Sequence, residues 1–419
     1  MLTKTKLREC NIKYSILQAM NMFVSAVLSV FIVPLLSSQG FTVWQIGILM
    51  AVKYGSTIVF SVFYASLADR LTDYITNKGF IAIFCIAGIV ITILHLYVPM
   101  DMLRGVLVFI GYGASFCCIG PFTDAFSSQY AANGVQINYA FARAMGSMFW
   151  AFAGLILGCL TSRCSSDAIL WLQVVALVLC LIAVLIMPAP NSVREKLMIK
   201  KNKISNVNSV PGMLVQNPFY IVFLVASFFL MTGVNLTMGY MAYTVSGVGG
   251  TTFDLGMCGF VLGFFEIFAG FYFKKFLNFL GTRRVIFLAM TGMALRVGML
   301  VISRNMAMVY AAQVFELIGC MLWAGNVQLV REEIAEQDWI KGQTLINSVQ
   351  TGFSMLAASV LGGYIMERFE NVFFLHSTAF GMCMLGLIIY VYQLSMIKSK
   401  QSVEIFNSST NKTRRQTKY

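Results

Sequence analysis

The chain has 419 residues, of which 58% are hydrophobic and 11% are charged. Soluble globular proteins contain about 45–50% apolar and about 25% charged residues, so this composition excludes a soluble protein and predicts an integral membrane protein. A formal net charge of +13 would suggest a nucleic-acid-binding protein only if the basic residues formed a common face. Here they fall in short loops and in the terminal segments, so we expect no nucleic-acid partner.

Cysteine usage and the short motifs predict neither a metal site nor an enzyme. None of the ten cysteines belongs to a CxxC pair, and most lie within apolar runs, where a thiol acts as a small packing residue. The sequence has no nucleophile elbow, no glycine-rich phosphate loop and no histidine or aspartate cluster with metal spacing. We therefore expect no catalytic residue, no metal and no organic cofactor.

Apolar windows of about 20 residues, the length that crosses a bilayer as a helix, recur along the whole chain. The first window follows a basic segment that resembles a signal peptide. It is about twice the usual length of a signal-peptide apolar region and lacks a cleavage site, so we expect it to be retained. The predicted spans 1 to 12 are Tyr14–Leu36, Trp44–Leu67, Gly79–Val98, Gly105–Phe126, Tyr139–Leu160, Ala168–Met187, Phe219–Val245, Leu255–Leu277, Val285–Ile302, Met306–Val330, Leu345–Met366 and Val372–Met396.

The distribution of basic residues predicts the orientation of these spans. Lysines and arginines are frequent before span 1 and in the connections after spans 2 and 8, whereas each connection on the opposite side carries at most one arginine. By the positive-inside rule, both termini lie in the cytoplasm. The expected location is the cell membrane.

One long, polar and basic segment divides the spans into two groups of six. We expect a six-helix half over 1–190, a cytoplasmic linker over 191–216, a second half over 217–396 and a disordered, basic cytoplasmic tail over 397–419. Two six-helix halves resemble the plan of major facilitator carriers, whose substrate site lies near the bilayer midplane between the repeats. The predicted fold class is an all-α membrane protein with twelve transmembrane helices.

Six charged residues lie inside the predicted spans, where a charge is costly and usually marks a binding site or a transport pathway. They are Lys53, Asp124, Arg143, Glu266, Arg296 and Glu316. The three cations balance the three anions, as ion pairing requires. For Lys53 the alternatives are Asp124 as a partner and a water-filled niche.

The depth of the charges in the bilayer follows from their distance to the nearest turn. At about 1.5 Å per residue, Asp124 and Arg143 reach the same level on neighbouring spans, and so do Glu266 and Arg296. Glu316 on span 10 lies within reach of the long arginine side chain on span 9. We therefore predict a charge pair in the first half and a charge cluster in the second half, facing each other across a cavity. Ion pairs that only lock neighbouring helices are the alternative.

Polar residues recur at helical spacing on two spans, which predicts polar faces toward a cavity. They are Gln18, Asn21, Ser25 and Ser29 on span 1 and Gln343, Asn347, Gln350 and Ser354 on span 11. Trp150 follows Arg143 by seven residues and Trp323 follows Glu316 by seven, so each indole shares a helix face with a charge. Such a ring can stack on a sugar or another planar ligand. Hydrogen bonding between helices and simple packing are the alternatives.

Several short motifs resemble the oligosaccharide:proton symporters, the lactose permease-like family of the major facilitator superfamily. The segment PFTDAF resembles the family's helix 4 motif Pro-x-x-Glu-Ala-Phe, and FARAMGSMFWA resembles its helix 5 motif. The segments LGFFEIFAG, ALRVGML and QVFELIG resemble the charged positions of helices 8, 9 and 10. The resemblance covers the whole chain as topology, and its specificity rests on these few positions.

The resemblance implies a role for individual residues. The predicted substrate-binding residues are Asp124, Arg143, Trp150, Glu266 and Gln313. The predicted proton-coupling residues are Glu316, which would carry the proton, and Arg296 and Glu266, which would tune it. The predicted cavity-lining residues are Gln18, Asn21, Lys53, Asn235, Trp323, Asn347 and Gln350.

Two features depart from the pattern of the family. Gln313 stands where the family has a sugar-binding histidine on helix 10. The family's charge pairs among helices 7, 10 and 11 are replaced by the neutral residues Asn235, Met238, Tyr310 and Thr351. Losing both members of a pair leaves no orphaned charge, so the fold tolerates the replacement.

These features predict a monomeric, proton-driven symporter that imports a small glycoside, a di- or oligosaccharide, by alternating access. The proton is the expected coupling ion, and the lipid bilayer and the sugar substrate are the expected partners. The alternatives are a nucleoside or an aromatic carboxylate as cargo, or a sugar uniporter or sensor on the same scaffold.

Overall fold

Every regular element in the described part of the chain is a helix. The computed structural model describes residues 4–71, 75–132, 137–188, 210–335 and 338–416. Ten helices in these ranges are long and apolar enough to cross a membrane, and two bent helix pairs raise the number to twelve. The structure confirms the predicted all-α, multi-pass membrane fold.

The first six spans overlap the predicted windows, and spans 1, 2 and 4 extend beyond them at both ends. Span 1 is Lys4–Val30 and Ile32–Ser38, span 2 is Val43–Leu71, span 3 is Asn77–Tyr97, span 4 is Met102–Ala114, Phe116–Cys118 and Ile119–Ala132, span 5 is Tyr139–Thr161 and span 6 is Asp167–Ile186. Thr76, Asp101 and Asn138 fix the starts of spans 3, 4 and 5, because each side-chain oxygen accepts a hydrogen bond from a backbone N–H three residues on.

The second six spans repeat this plan with more interruptions. A short helix, Val210–Gln216, precedes them; span 7 is Pro218–Gly239 and Met241–Gly247, span 8 is Thr252–Leu280, span 9 is Thr282–Val301, span 10 is Met306–Val314, Glu316–Gly319 and Met321–Glu333, span 11 is Trp339–Asn347, Ser348–Phe353 and Ser354–Phe369, and span 12 is Val372–Gln416. The middle segment of span 11 is π-helical, a wide turn that is frequent at functional sites.

Prolines explain two interruptions in windows that were predicted as continuous helices. Pro34 has no N–H to donate to the carbonyl of Val30, and span 1 breaks at Phe31 and bends by 46°. Pro121 removes a second such hydrogen bond, and span 4 contains a tight turn at Phe116–Cys118 just before it.

The ends of the two halves differ in part from the predicted boundaries. Residues 189–209, most of the predicted linker, lie outside the described residues, and the helix Val210–Gln216 occupies its last part. Where a disordered tail was predicted from residue 397, span 12 continues as a helix to Gln416. No glycine or proline follows Gly386, so the sequence contains no residue that would force the helix to end there.

The two halves meet closely at one end of the bundle. We call this end the far side; it carries the connections that follow the odd-numbered spans. We call the opposite end, where span 1 begins and span 12 ends, the terminus side. A Cβ on Gly256 of span 8 would lie 2.3 Å from the carbonyl oxygen of Gly154 on span 5. A Cβ on Gly47 of span 2 would lie 2.7 Å from the carbonyl oxygen of Ser359 on span 11. Because glycine permits this backbone approach, spans 5 and 8 and spans 2 and 11 close the far side.

Polar contacts between the halves reinforce this closure. The Trp44 backbone N–H, at the start of span 2, donates a hydrogen bond to Oε2 of Glu367 over 3.1 Å. The hydroxyl groups of Ser37 and Tyr243 lie 3.4 Å apart. Both contacts join the first half to the second at the far side.

Candidate functional site

A cavity of about 150 Å³ lies between the two halves. Spans 1, 2 and 5 form one side of it, and spans 7 to 11 form the other. The wall residues are Ser29, Val30, Met50, Tyr54, Trp150, Asn235, Met238, Gly239, Met241, Leu255, Cys258, Gly259, Leu262, Arg296, Gln313, Met355 and Ser359. The sequence predicts a substrate site at this interface of the halves.

The wall of the cavity is amphipathic. Its lining includes two aromatic rings, Tyr54 and Trp150, four methionines, and polar side chains such as Asn235, Arg296 and Gln313. Methionine is flexible and polarisable, and its sulfur makes favourable contacts with aromatic rings. A ligand with one apolar or aromatic face and one hydrogen-bonding edge matches this wall.

Arg296 and Glu316 form a buried ion pair at the border of the cavity. Nη1 of Arg296 lies 2.8 Å from Oε2 of Glu316, and the two side chains are 1% and 8% exposed. Nε of Arg296 donates to Oε1 of Gln313 over 3.1 Å. The pairing of spans 9 and 10 predicted from helix geometry is therefore present, and Gln313 completes it as a third member.

Glu266 on span 8 faces the first half of the protein. Its carboxylate lies close to Arg143 and Ser147 on span 5, near enough for electrostatic interaction. The same carboxylate also interacts electrostatically with Glu316. The charges of the two halves therefore meet between spans 5 and 8, across the interface of the halves.

The predicted ion pair between Asp124 and Arg143 does not form. Oδ1 of Asp124 accepts hydrogen bonds from Gln18 over 2.7 Å and from the Tyr139 hydroxyl over 3.1 Å. Nη1 of Arg143 instead donates to Sδ of Met22 over 3.2 Å. Neighbouring polar groups and Glu266 take the place of the direct pair.

Lys53 is buried without an acidic partner in the described part of the chain, where no carboxylate oxygen lies within 4.0 Å of its ammonium group. The side chain is 3% exposed. Its ammonium group lies 4.5 Å from the ring centre of Tyr54, a cation–π contact. Asp124, the partner weighed for Lys53 from the sequence, is engaged elsewhere, and Lys53 contacts the ring of Tyr54, which lines the cavity.

The structure places only some of the predicted residues on the cavity wall. Trp150, Asn235, Arg296 and Gln313 contribute to it. The predicted residues outside this wall are Gln18, Asn21, Lys53, Asp124, Arg143, Glu266, Glu316, Trp323, Asn347 and Gln350. Their predicted roles stay predictions, and several of them act on wall residues or on one another through the contacts described above.

The amide of Gln350 belongs to a polar cluster behind the wall. Its Oε1 accepts a hydrogen bond from Asn326 over 2.7 Å. Nδ2 of Asn235 donates to Oγ of Ser354 over 2.8 Å and to the backbone carbonyl of Gln350 over 3.3 Å. These bonds join spans 7, 10 and 11 at the π-helical segment, where the resembling family has charge pairs.

Sequence reasoning missed the methionines, Tyr54 and Tyr139. Met50, Met238, Met241 and Met355 line the cavity, although a methionine in an apolar span carries no sequence signal of its own. Tyr139 lies four residues before Arg143, a spacing that places both on one helix face and could have been used.

Comparisons with known proteins give a family and a fold. The model of the MFS_1 like family matches residues 14–377. A crystal structure of the nucleoside transporter NupG is similar with a TM-score of 0.70 and 13% sequence identity, and the match covers 93% of this chain and 99% of that one. A point mutant of NupG gives the same TM-score of 0.70 and the same 13% identity, with 92% and 99% covered. No curated protein sequence matches the chain. At this identity the likeness to NupG establishes the fold alone.

Proposed function

This chain belongs to the MFS_1 like family of the major facilitator superfamily, and on that premise we propose that it is a proton-coupled symporter importing a small, uncharged glycoside by alternating access. Family and fold identify a multi-pass membrane transporter rather than an enzyme. The cargo, the coupling ion and the cell membrane as its location are the proposed parts.

The observation that carries the proposal is the ion pair of Arg296 and Glu316 beside an amphipathic cavity. A symporter needs an acid near the bound substrate that gains and loses a proton as the carrier changes state. The Glu316 side chain is only 8% exposed and lies 2.8 Å from a guanidinium. Charged groups buried inside membrane-spanning helices are costly and usually mark a binding site or a transport pathway.

The charge of the wall favours an uncharged substrate over an aromatic carboxylate. Among the wall residues, Arg296 is the cation, and Glu316 neutralises it. Lys53, which could have attracted an anion, lies behind Tyr54. A carboxylate in the cavity would have to compete with Glu316 for the guanidinium, at the cost of leaving one buried anion unpaired.

A nucleoside is the second candidate, and it is itself an N-glycoside. Four methionines and the rings of Tyr54 and Trp150 form an apolar part of the wall suited to a flat base, and the polar residues suit the hydroxyl groups of a ribose. The fold likeness to NupG, described as a nucleoside transporter, supports the same class. A di- or oligosaccharide, with polar groups on every edge, uses this apolar area less well.

The orientation proposed from the loop charges assigns a state to the structure. With the terminus side in the cytoplasm, the closed far side faces the outside of the cell, and the structure is a carrier closed to the outside. Import then requires spans 5 and 8 and spans 2 and 11 to separate at their glycine contacts, so that the cavity opens outward.

The experiment that tests the proposed function is uptake into proteoliposomes that contain the purified protein. Labelled lactose, sucrose, uridine, adenosine and phenylpropionate are compared, and the pH of a weakly buffered external medium is followed. We expect uptake of one of the uncharged glycosides together with alkalinisation of the medium. Uptake of phenylpropionate alone would contradict the proposed substrate class. Downhill uptake that never alkalinises the medium and never accumulates substrate would contradict proton coupling and identify a uniporter.

A further inference from the structure

One donor group of Arg296 has no partner in the described part of the chain. A guanidinium presents N–H donors on Nε, Nη1 and Nη2. Nε donates to Gln313 and Nη1 to Glu316, whereas Nη2 is buried without a hydrogen-bond partner. Buried donors in native proteins are nearly always satisfied, so an unmade bond on a charged group calls for a partner that the chain itself does not provide.

The cavity is the place where that partner can lie. Arg296 is 1% exposed and is at the same time a wall residue of the cavity. Gln313, the other polar group next to it on the wall, already gives Oε1 to Nε and uses Nε2 as a donor to the carbonyl of Val309. Both polar atoms of Gln313 are therefore engaged, and its Oε1 lies on Nε of Arg296 rather than on Nη2.

We propose that Arg296 is a direct substrate ligand, and that its Nη2 donates a hydrogen bond to an uncharged acceptor oxygen of the substrate, a hydroxyl or a carbonyl. The inference rests on the proposed function and goes beyond it, because there Arg296 only holds the proton-carrying acid. An uncharged acceptor can bind whether or not Glu316 is ionised, whereas an anionic group would be repelled by the ionised carboxylate that lies on the same guanidinium. A hydroxyl group of a sugar and the carbonyl of a pyrimidine base both meet this requirement.

A shared guanidinium links the substrate to the proton. The groups that face the Glu316 carboxylate are Arg296 on span 9, Glu266 on span 8 and Cys320 on its own span. When Glu316 is protonated, Arg296 loses its anionic partner and donates more strongly to the substrate acceptor. By linkage, substrate and proton then favour each other's binding, and this needs no histidine at the position of Gln313.

The test removes Arg296 in a Glu316→Gln background, in which the loss of the guanidinium leaves no unpaired Glu316 carboxylate, and measures substrate binding. Glu316→Gln and the double variant Arg296→Gln/Glu316→Gln are purified, and their insertion and thermal unfolding are compared first. Binding of uridine and lactose is then measured by calorimetry. We expect Glu316→Gln to bind the preferred probe and the double variant to bind it about 10- to 100-fold more weakly, the loss that follows from removing a hydrogen bond to a charged group.

The matched control is Arg283→Gln/Glu333→Gln, which removes a second arginine–glutamate pair whose arginine lies on the same span. That pair is joined over 2.7 Å, and neither residue lines the cavity. We expect it to leave binding unchanged. A double-mutant cycle locates the contact further: a deoxy analogue of the preferred probe that lacks the acceptor should bind Glu316→Gln and the Arg296→Gln/Glu316→Gln variant with equal affinity.

Each outcome separates this inference from the function on which it rests. One outcome is that Glu316→Gln and Arg296→Gln/Glu316→Gln bind, with equal affinity, a probe that the wild type binds. That result would overturn the role of Arg296 and indicate that a water molecule satisfies Nη2. The proposed function would remain in that case. If the wild type bound neither uridine nor lactose, nor any of the other uncharged glycosides used for uptake, the proposed function would fail and this inference with it.

Discussion

At the residue scale, Trp150 is the side chain whose shape matters most to the proposed site. Its ring lines the cavity, and a Cβ on Gly259 would lie 3.8 Å from its Cζ3, so the indole rests beside the helix backbone at Gly259, which lines the same cavity. Such a ring provides stacking area for a sugar face or a base.

We expect Trp150→Phe to transport with reduced affinity and Trp150→Ala to lose most transport, because stacking needs an aromatic face and not the indole N–H. Aromatic pairing contributes about 0.5–1.5 kcal/mol beyond buried area, so the affinity should fall by up to about tenfold in the alanine variant from stacking alone. The measurement is equilibrium binding together with uptake. Trp323→Ala is the control, since Trp323 lies outside the cavity wall. Equal, mild effects at all three variants would assign Trp150 to packing.

The second residue-scale prediction concerns Glu316 and the return step of the carrier. Glu316→Gln imitates the permanently protonated acid, so the loaded carrier should still exchange labelled for unlabelled substrate. The empty carrier should not return, and accumulation against a gradient should be lost, even with a membrane potential worth about 2.3 kcal/mol per elementary charge per 100 mV. Counterflow and net uptake in the same vesicles measure the two steps. Accumulation at the wild-type level would exclude Glu316 as the essential proton carrier.

At the element scale, the glycine contact of spans 5 and 8 sets how far the halves can close. An added Cβ on Gly256 would lie 2.3 Å from the Gly154 carbonyl oxygen, and helix backbone cannot move aside as a flexible side chain can. Closure of the far side therefore depends on the absence of a single methyl-sized group.

We expect Gly256→Val to hold the far side open and to abolish transport while the protein remains inserted. The measurement is labelling of Cys258, a wall residue that is 3% exposed, by a membrane-impermeant thiol reagent added from the far side. The other nine cysteines are replaced for this purpose. Gly381→Val is the control, because an added Cβ there would meet nothing within 4 Å. If Gly256→Val showed unchanged labelling and normal transport, spans 5 and 8 would be able to close with the larger side chain between them, and the prediction would be wrong.

At the scale of the whole molecule, a hydrogen bond to the Glu367 carboxylate joins the two halves on the far side. Glu367 of span 11 accepts the Trp44 backbone N–H at the start of span 2, where the helix dipole favours a negative charge. The contact exists only while the far side is closed, so it contributes to the balance between the inward- and outward-facing states.

We expect Glu367→Gln to shift that balance toward the outward-facing state, because the amide keeps an acceptor but loses the charge. Charge–dipole contacts at exposed helix ends contribute about 0.3–1 kcal/mol, so the population ratio should change by up to about fivefold. The labelling rate of Cys258 from the far side measures it. Glu370→Gln, three residues further along, is the control, and the same rate in both variants would remove Glu367 from the closure.

Much of the fold and part of the site could be predicted from local features of the sequence. Helix hydrogen bonds are satisfied within each span and the bilayer fixes the span length, so hydropathy alone gives the number of spans. Pro34 and Pro121 indicate the breaks in spans 1 and 4, but hydropathy windows do not register a proline and predict continuous helices there. The pairing of Arg296 with Glu316 followed from counting residues along two spans joined by a short turn.

By itself, the sequence predicted up to twelve apolar spans and the pairing of Arg296 with Glu316 across a short turn, because both depend on distances along the chain. Only the tertiary structure decided that Arg143 meets Glu266 rather than Asp124, and that Lys53 lies behind Tyr54. The rotation of each helix about its axis and the distance between the halves are set by packing among spans remote in sequence, such as the glycine contact of spans 5 and 8. That packing also assembled the methionine-rich wall and left Nη2 of Arg296 without a partner beside the cavity.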